Sequence, residues 1–145
     1  MTLHTRELGE GDVDAMADVA TACFERPWST AVLRDEIAHA GRDYLGTFLD
    51  GTLVGFGGAA DLAGELHVMT VAVEPSHRRA GIGRALVTAL LARADDRGIA
   101  QAILEVRAAD VGARALYESL GFRTVGQRPA YYGDDAAVIM TRSGL

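Results

Sequence analysis

The sequence predicts an α/β or α+β fold built on one sheet. Three observations carry that expectation. Short β-branched runs alternate with longer stretches of helical periodicity. An Asp50-Gly51 pair between two apolar runs marks a β-hairpin. The run Val68-Met69-Thr70-Val71-Ala72-Val73 passes through a glycine-bearing loop into a helical sequence, and a strand pair closes the order. Strand–helix–strand units followed by such a pair make a sheet covered by helices.

Residues 2–8 read as the first strand. A helix over 11–24 follows, with Val13, Met16, Ala17 and Ala20 on one face. Ser29 is the predicted N-cap of a helix over 30–40, and Pro27-Trp28 leads into it. Strands over 44–49 and 53–60 flank the Asp50-Gly51 turn. The central strand covers 66–73. The next helix, over 81–97, carries Ile82, Leu86, Leu90 and Ala94 on its apolar stripe and ends at Gly98. A strand over 102–106 comes next. Asp110 caps a helix over 110–120 in which Val111, Ala115 and Leu116 are expected to be buried, with Gly121 beyond it. Strands over 122–128 and 136–141 complete the set. No repeat, low-complexity tract or linker interrupts this order. Residues 1–145 are therefore expected to form a single domain, long enough to bury a substantial core.

The single cysteine, Cys23, makes neither an internal disulfide nor a cysteine-rich metal site. Beside Phe24 in a helical pattern, it reads as a small core residue. His4, His39, His67 and His77 show no ligand spacing, and no metal is expected. The net charge of −6 argues against general nucleic-acid binding and suits a basic or amine-bearing partner. No run of about 18 apolar residues exists to span a membrane. The first residues, Met1 to Glu7, lack a basic-then-apolar leader, so a cytoplasmic protein is expected.

The most informative segment is Arg78-Arg79-Ala80-Gly81-Ile82-Gly83-Arg84. Its glycines fall where a strand ends and a helix begins. The first N–H groups of a helix lack intrahelical partners and carry partial positive charge. Glycine there lets a phosphate approach the backbone, and the arginines add counter-charge. A pyrophosphate cradle is the simplest reading; a solvated arginine-rich loop is the alternative. A P-loop is disfavoured because the chain has no lysine, and the Gly-x-Gly-x-x-Gly dinucleotide spacing is absent.

Arg78-x-x-Gly81-x-Gly83 resembles the acyl-CoA pyrophosphate motif of the GNAT superfamily of N-acetyltransferases. Leu104-Glu105-Val106-Arg107 and Ala115-Leu116-Tyr117-Glu118-Ser119-Leu120-Gly121-Phe122 resemble one subgroup, the bacterial RimI-type ribosomal-protein-alanine N-acetyltransferases. Pro27-Trp28-Ser29, Tyr131-Tyr132 and the run from Asp135 to Met140 agree with it. The likeness extends from about Leu8 to Met140. It implies the acyl-CoA N-acyltransferase fold, a mixed, mostly antiparallel sheet with helices on both faces. It also implies acetyl-CoA as cosubstrate, held by the backbone of Val71, Ala72 and Val73 and by Arg79, Ala80, Gly81, Ile82, Gly83 and Arg84. Arg78 is left as a surface residue. Two positions depart from the family pattern. Asp110 stands where an asparagine usually contacts CoA, and Ala80 where many members have glycine, which suggests a local change in φ.

Acetyl transfer needs a neutral amine, a donor for the thioester oxygen and a proton for the departing thiolate. A peptide α-amine has a pKa of about 7.7–8.0, so a base helps at neutral pH. Glu105, between apolar Leu104 and Val106, is expected to face a cleft of low polarity. By sequence alone it is a base, an exposed strand residue or a partner of Arg107; the resemblance selects the base. Tyr117 is either core packing or the acid that protonates the thiolate, and the resemblance selects the acid. A backbone N–H in Val71-Ala72-Val73 is the expected oxyanion donor.

The resemblance further implies an acceptor at a protein N-terminus, the N-terminal alanine of a small-subunit ribosomal protein. Tyr131, Tyr132, Trp28 and Glu65 are candidates for lining its groove. Neither nucleic acid nor membrane is an expected partner. Two other classes stay open: an acetyltransferase for a small-molecule amine or protein lysine, and a CoA-binding regulatory module without turnover. Retention of Glu105 and Tyr117 speaks against the module.

Overall fold

The computed structural model describes residues 2–132 and 135–143, the side chains of 130–132 excepted. Seven strands form one sheet: β1 (Leu3–Glu7), β2 (Arg42–Leu49), β3 (Thr52–Leu62), β4 (Glu65–Val73), β5 (Gln101–Arg107), β6 (Arg123–Tyr132) and β7 (Asp135–Ser143). Four helices accompany it: α1 (Val13–Cys23), α2 (Thr30–Ala38), α3 (Ile82–Asp96) and α4 (Val111–Ser119). The strand order is β1-β2-β3-β4-β5-β7-β6. Among the described residues only β4 and β5 pair in parallel, and every other pair is antiparallel. The architecture is the mixed, mostly antiparallel sheet expected. The terminal hairpin enters with its second strand innermost.

Turn chemistry sets the meander. Asp50 and Gly51 both take positive φ (48° and 88°), the primed turn that matches strand twist. Ala63 and Gly64 repeat it between β3 and β4 (54° and 82°). Ser29 caps α2 by accepting from the Val32 N–H at 3.2 Å.

Helices cover both faces. On one, Leu86 and Leu90 of α3 and Tyr117 of α4 pack with Val68, Leu104, Val106, Val138 and Met140. On the other, Met16 of α1 and Leu33 of α2 pack with Tyr44, Phe56 and Ala72. The approach of α3 is close: a Cβ on Gly57 would stand 3.1 Å from Leu90 Cδ1. Asp43 of β2, almost fully buried, accepts from Arg93 at 3.2 Å and from Arg97 at 2.6 Å, which ties the far end of α3 to the sheet. Among the described residues no helix is long and apolar enough to cross a membrane.

The stripe expected on α4 is displaced. Val111 is 71% exposed and Ala115 is also exposed. The inward stripe is Ala113, Leu116, Tyr117 and Leu120. These positions recur at helical spacing, and 111 and 115 fall off that face.

Two irregularities shape the middle of the sheet. Gly58 pairs with Thr70 and Ala59 with Val68, so Met69 is an extra residue bulged out of β4. One inserted residue reverses the alternation. Before it, Leu66 and Val68 face the α3/α4 core; after it, Ala72 joins the α1/α2 core, while Val71 and Val73 pack towards α3. The second is a separation of strands. β4 and β5 pair only from Glu65↔Gln101 to His67↔Ile103. Beyond that β4 runs on to Val73 and β5 to Arg107 without pairing each other.

Candidate active site

An open cleft of about 1500 Å³ occupies the separation between β4 and β5. Val71, Ala72 and Val73 form its strand edge, with backbone groups that β5 leaves unpaired. The loop and first turn of α3 form one end, and Glu105, Asp110 and Tyr117 also line it. The structure thus brings together most of the residues that the sequence singled out; Ala80 is not in the lining.

Gly81, at φ +80°, is the N-cap of α3, and no side chain caps it. The first helical bond runs from the Ala85 N–H to the Gly81 carbonyl at 3.0 Å. The amides of Ile82, Gly83 and Arg84 precede it and have no intrahelical acceptor. A Cβ on Gly83 would lie 3.7 Å from both Leu116 Cδ2 and Val73 Cγ2, ordinary contact distances. A Cβ there meets no clash, and the glycine leaves that part of the cleft lining without a side chain. Such a cradle fits a pyrophosphate.

The arginines divide. The local φ change expected at Ala80 falls one residue earlier, at Arg79 (φ +64°). Arg78 is exposed, as expected, and donates from Nε to the Val73 carbonyl at 3.0 Å. Cys23 Sγ contacts the same oxygen at 3.3 Å. The two clamp the end of β4. Cys23 is half-buried and lines the cleft, so its polar contact went beyond its reading as core filler. The Arg84 guanidinium donates to Ser119 Oγ, joining the first turn of α3 to the last turn of α4. Asp110 Oδ1 accepts from the Ala113 N–H at 3.0 Å, a helix cap as its sequence position suggests.

Glu105 and Tyr117 arrive from opposite sides. In β5, Ala102, Leu104 and Val106 belong to the α3/α4 core, so Glu105 points to the other face. Its apolar sequence neighbours turn away from it, and Glu105 lines the cleft together with Phe24 and Trp28. Glu105 Oε1 lies 3.1 Å from Nη2 of Arg128, on β6. Arg128, from two strands away, is a partner that was not weighed from sequence. The Tyr117 side chain is buried, with its ring edge-on to Phe122 at 5.8 Å. Burial, with a smaller contribution from the Asp110 carboxylate, pushes its phenol up to about 12. It is therefore protonated at neutral pH.

Trp28 and Phe24, between α1 and α2, are partly exposed and line the cleft. Glu65 does not join them. It lies at the opposite end of β4, in register with Gln101 and 3.0 Å from His67 Nε2. Tyr131 and Tyr132 lie outside the described side chains. Arg128 is the neighbour of Glu105 that sequence reasoning missed. A signal for it is Pro129, directly after the strand read over 122–128, since proline marks irregular pairing. Among the described residues no group of three His, Cys, Asp or Glu is placed to hold a metal ion.

The sequence profile of the Acetyltransferase (GNAT) family matches residues 13–122. N-alpha-acetyltransferase RimI of Mycobacterium tuberculosis is 37% identical over 146 residues, covering 94% of this chain and 90% of that protein. The [Ribosomal protein bS18]-alanine N-acetyltransferase of Escherichia coli (strain K12) is 34% identical over 135 residues, 89% of each chain. The crystal structure of the Escherichia coli ribosomal-protein-S18-alanine N-acetyltransferase superposes with a TM-score of 0.92 at 28% identity, covering 99% of this chain and 96% of that one. A Mycobacterium leprae protein, ML0378, is 38% identical over 131 residues, and there the match spans only 36% of the relative's length. With the cradle, the parted strands and these likenesses in hand, the chain belongs to the GNAT family of acetyltransferases and takes its acetyl group from acetyl-CoA.

Proposed function

We propose that this chain, acting as one catalytic domain in the cytoplasm, acetylates the N-terminal amine of a protein. The preferred acceptor begins with alanine and belongs to a small ribosomal-subunit protein. The observation that carries the reading is the placement of Glu105 and Tyr117 on opposite faces of the sheet at one gap. An acceptor reaching Glu105 and a thiolate beside Tyr117 then occupy different sides of the strands. The names of the Mycobacterium tuberculosis and Escherichia coli relatives support the choice of acceptor.

Acetyl-CoA supplies an activated acyl group with a thiol leaving group. The amides at the start of α3 hold the pyrophosphate, with Arg79 adjacent. The edge of Val71, Ala72 and Val73 that β5 leaves unpaired orients the chain of the cofactor and offers a backbone N–H to the thioester oxygen. Glu105 receives the proton of the amine, and Tyr117 donates its phenolic proton to the departing sulfur.

The test is CoA release with an alanine-initiated peptide, set against polyamines and aminoglycosides, with the product mapped by mass spectrometry. Acetylation of the peptide's α-amine is expected. Turnover confined to polyamines, aminoglycosides or lysine side chains rejects the N-terminal assignment.

A further inference from the structure

The cation that meets Glu105 comes from a strand with no role in the chemistry above. Arg128 lies on β6, separated from β5 by β7, and its Nη2 is 3.1 Å from Glu105 Oε1. Register explains the reach. Arg128 pairs with Ala137, and Ala137 pairs with Arg107, so all three share the face of Glu105. The pairing of β6 with β7 breaks immediately after Arg128. It resumes at Tyr132↔Asp135, leaving residues 129–131 opposite a single residue of β7. Pro129, which cannot donate to a ladder, opens this bulge. Bulges beside active sites re-aim side chains, and this one stands where a guanidinium must cross a neighbouring strand.

The pair is a poor stabilising device. The Arg128 side chain is 57% exposed and that of Glu105 is 27% exposed, so water screens their attraction. What the contact does is orient. A carboxylate has two oxygens, and a general base works only when one is held towards the proton it takes. With Oε1 turned to Arg128, Oε2 is the oxygen left for the amine.

We propose that Arg128 is a positioning residue for the reaction: by holding Glu105 Oε1, it presents Oε2 to the acceptor amine. Oε2 takes a proton from the ammonium form of the acceptor and passes it to water; the neutral amine then attacks the thioester carbonyl, the carbon–sulfur bond breaks, and the thiolate takes the Tyr117 proton. This rests on the reading of Glu105 as the base, and the experiment separates the two.

The experiment is a double-mutant cycle on kcat and KM with Arg128→Gln, Glu105→Gln and the double variant, with Arg128→Lys as the conservative change. Arg128 has further interactions on the chain, so thermal midpoints accompany the kinetics. Arg128→Gln is expected to lower kcat about tenfold with KM for acetyl-CoA unchanged, the scale of a misplaced catalytic group. Arg128→Lys should stay within about threefold of the parent, and adding Arg128→Gln to Glu105→Gln should cost less than about twofold more. An equal loss from Arg128→Gln in both backgrounds overturns the proposal and leaves the base intact. Parent-like kcat in folded Arg128→Gln also overturns it. Parent-like kcat in Glu105→Gln removes the base itself, and the positioning role with it.

Discussion

Glu105 and Tyr117 stand on opposite faces of one sheet and meet only where β4 and β5 part. Strand alternation puts Glu105 on the side away from Leu104 and Val106, while Tyr117 packs with those two residues from α4. In a continuous sheet the two would be isolated from each other by backbone. The early end of the β4–β5 pairing at His67↔Ile103 is what opens a common space. The separation of the proposed proton acceptor and donor is thus a property of topology, and in the proposed mechanism it puts the two proton transfers on two sides of the sheet.

Tyr117→Phe keeps the ring and its edge contact with Phe122 and removes the proton. We expect kcat to fall by roughly 10²-fold, the usual range for losing a general acid. CoA affinity should be unchanged. Parent-like kcat in a folded Tyr117→Phe protein reduces Tyr117 to packing.

Gly83→Val tests the cradle. Its Cβ meets only ordinary contacts at 3.7 Å, so the fold should survive. The branched side chain then occupies the space above the α3 amides. The CoA dissociation constant should rise at least about tenfold, or about 1.4 kcal/mol. Calorimetry showing unchanged affinity would sink the assignment of pyrophosphate to this turn.

Alkaline stability follows from the same buried phenol. The Tyr117 pKa is raised by burial and by Asp110 to about 12, against about 10 in an unfolded chain. Below pH 10 both states hold the proton and stability is unaffected. Between pH 10 and 12 the unfolded chain loses it while the folded chain keeps it, so stability falls as pH rises. The loss from Tyr117 is on the order of 2 kcal/mol by pH 12. Tyr44 shifts in the same direction, through burial and then its hydrogen bond to Glu36. Urea midpoints across this window should fall more steeply for the parent than for Tyr117→Phe. Parallel slopes would mean that the phenol is not held protonated.

What was legible in the sequence was local. Asp50-Gly51 advertises its turn because aspartate and glycine tolerate positive φ; Ala63-Gly64 adopts the same turn with a residue that carries no such signal. The cradle was legible because one strand end, two glycines and one helix start are contiguous. Arg128 was not, because its approach to Glu105 depends on β7 inserting between β5 and β6 and on where their register slips. The way Glu105 reaches the cleft was not legible for a related reason. Leu104 and Val106 are its neighbours in sequence, but in a strand they mark the face it does not share. Met69 had no signature in composition, yet its insertion reverses β4 beside the cleft.

Glu105→Gln joins the base to the identity of the acceptor. If Glu105 takes a proton from an α-amine, its loss matters most where that amine is still protonated. With an amine pKa of about 7.7–8.0, the deficit in kcat/KM should be largest near pH 7. As pH rises past 8, solution supplies neutral amine and the variant should recover part of its rate. Tyr117, raised to about 12, stays protonated over this range, so the acid does not mask the recovery. The measurement is a pH–rate profile of parent and variant on an alanine-initiated peptide between pH 6 and about 9.5, a window that brackets the amine's pKa. A deficit that is the same at every pH would assign Glu105 to binding or orientation of the acceptor, because a missing base is replaced by alkali and a missing contact is not.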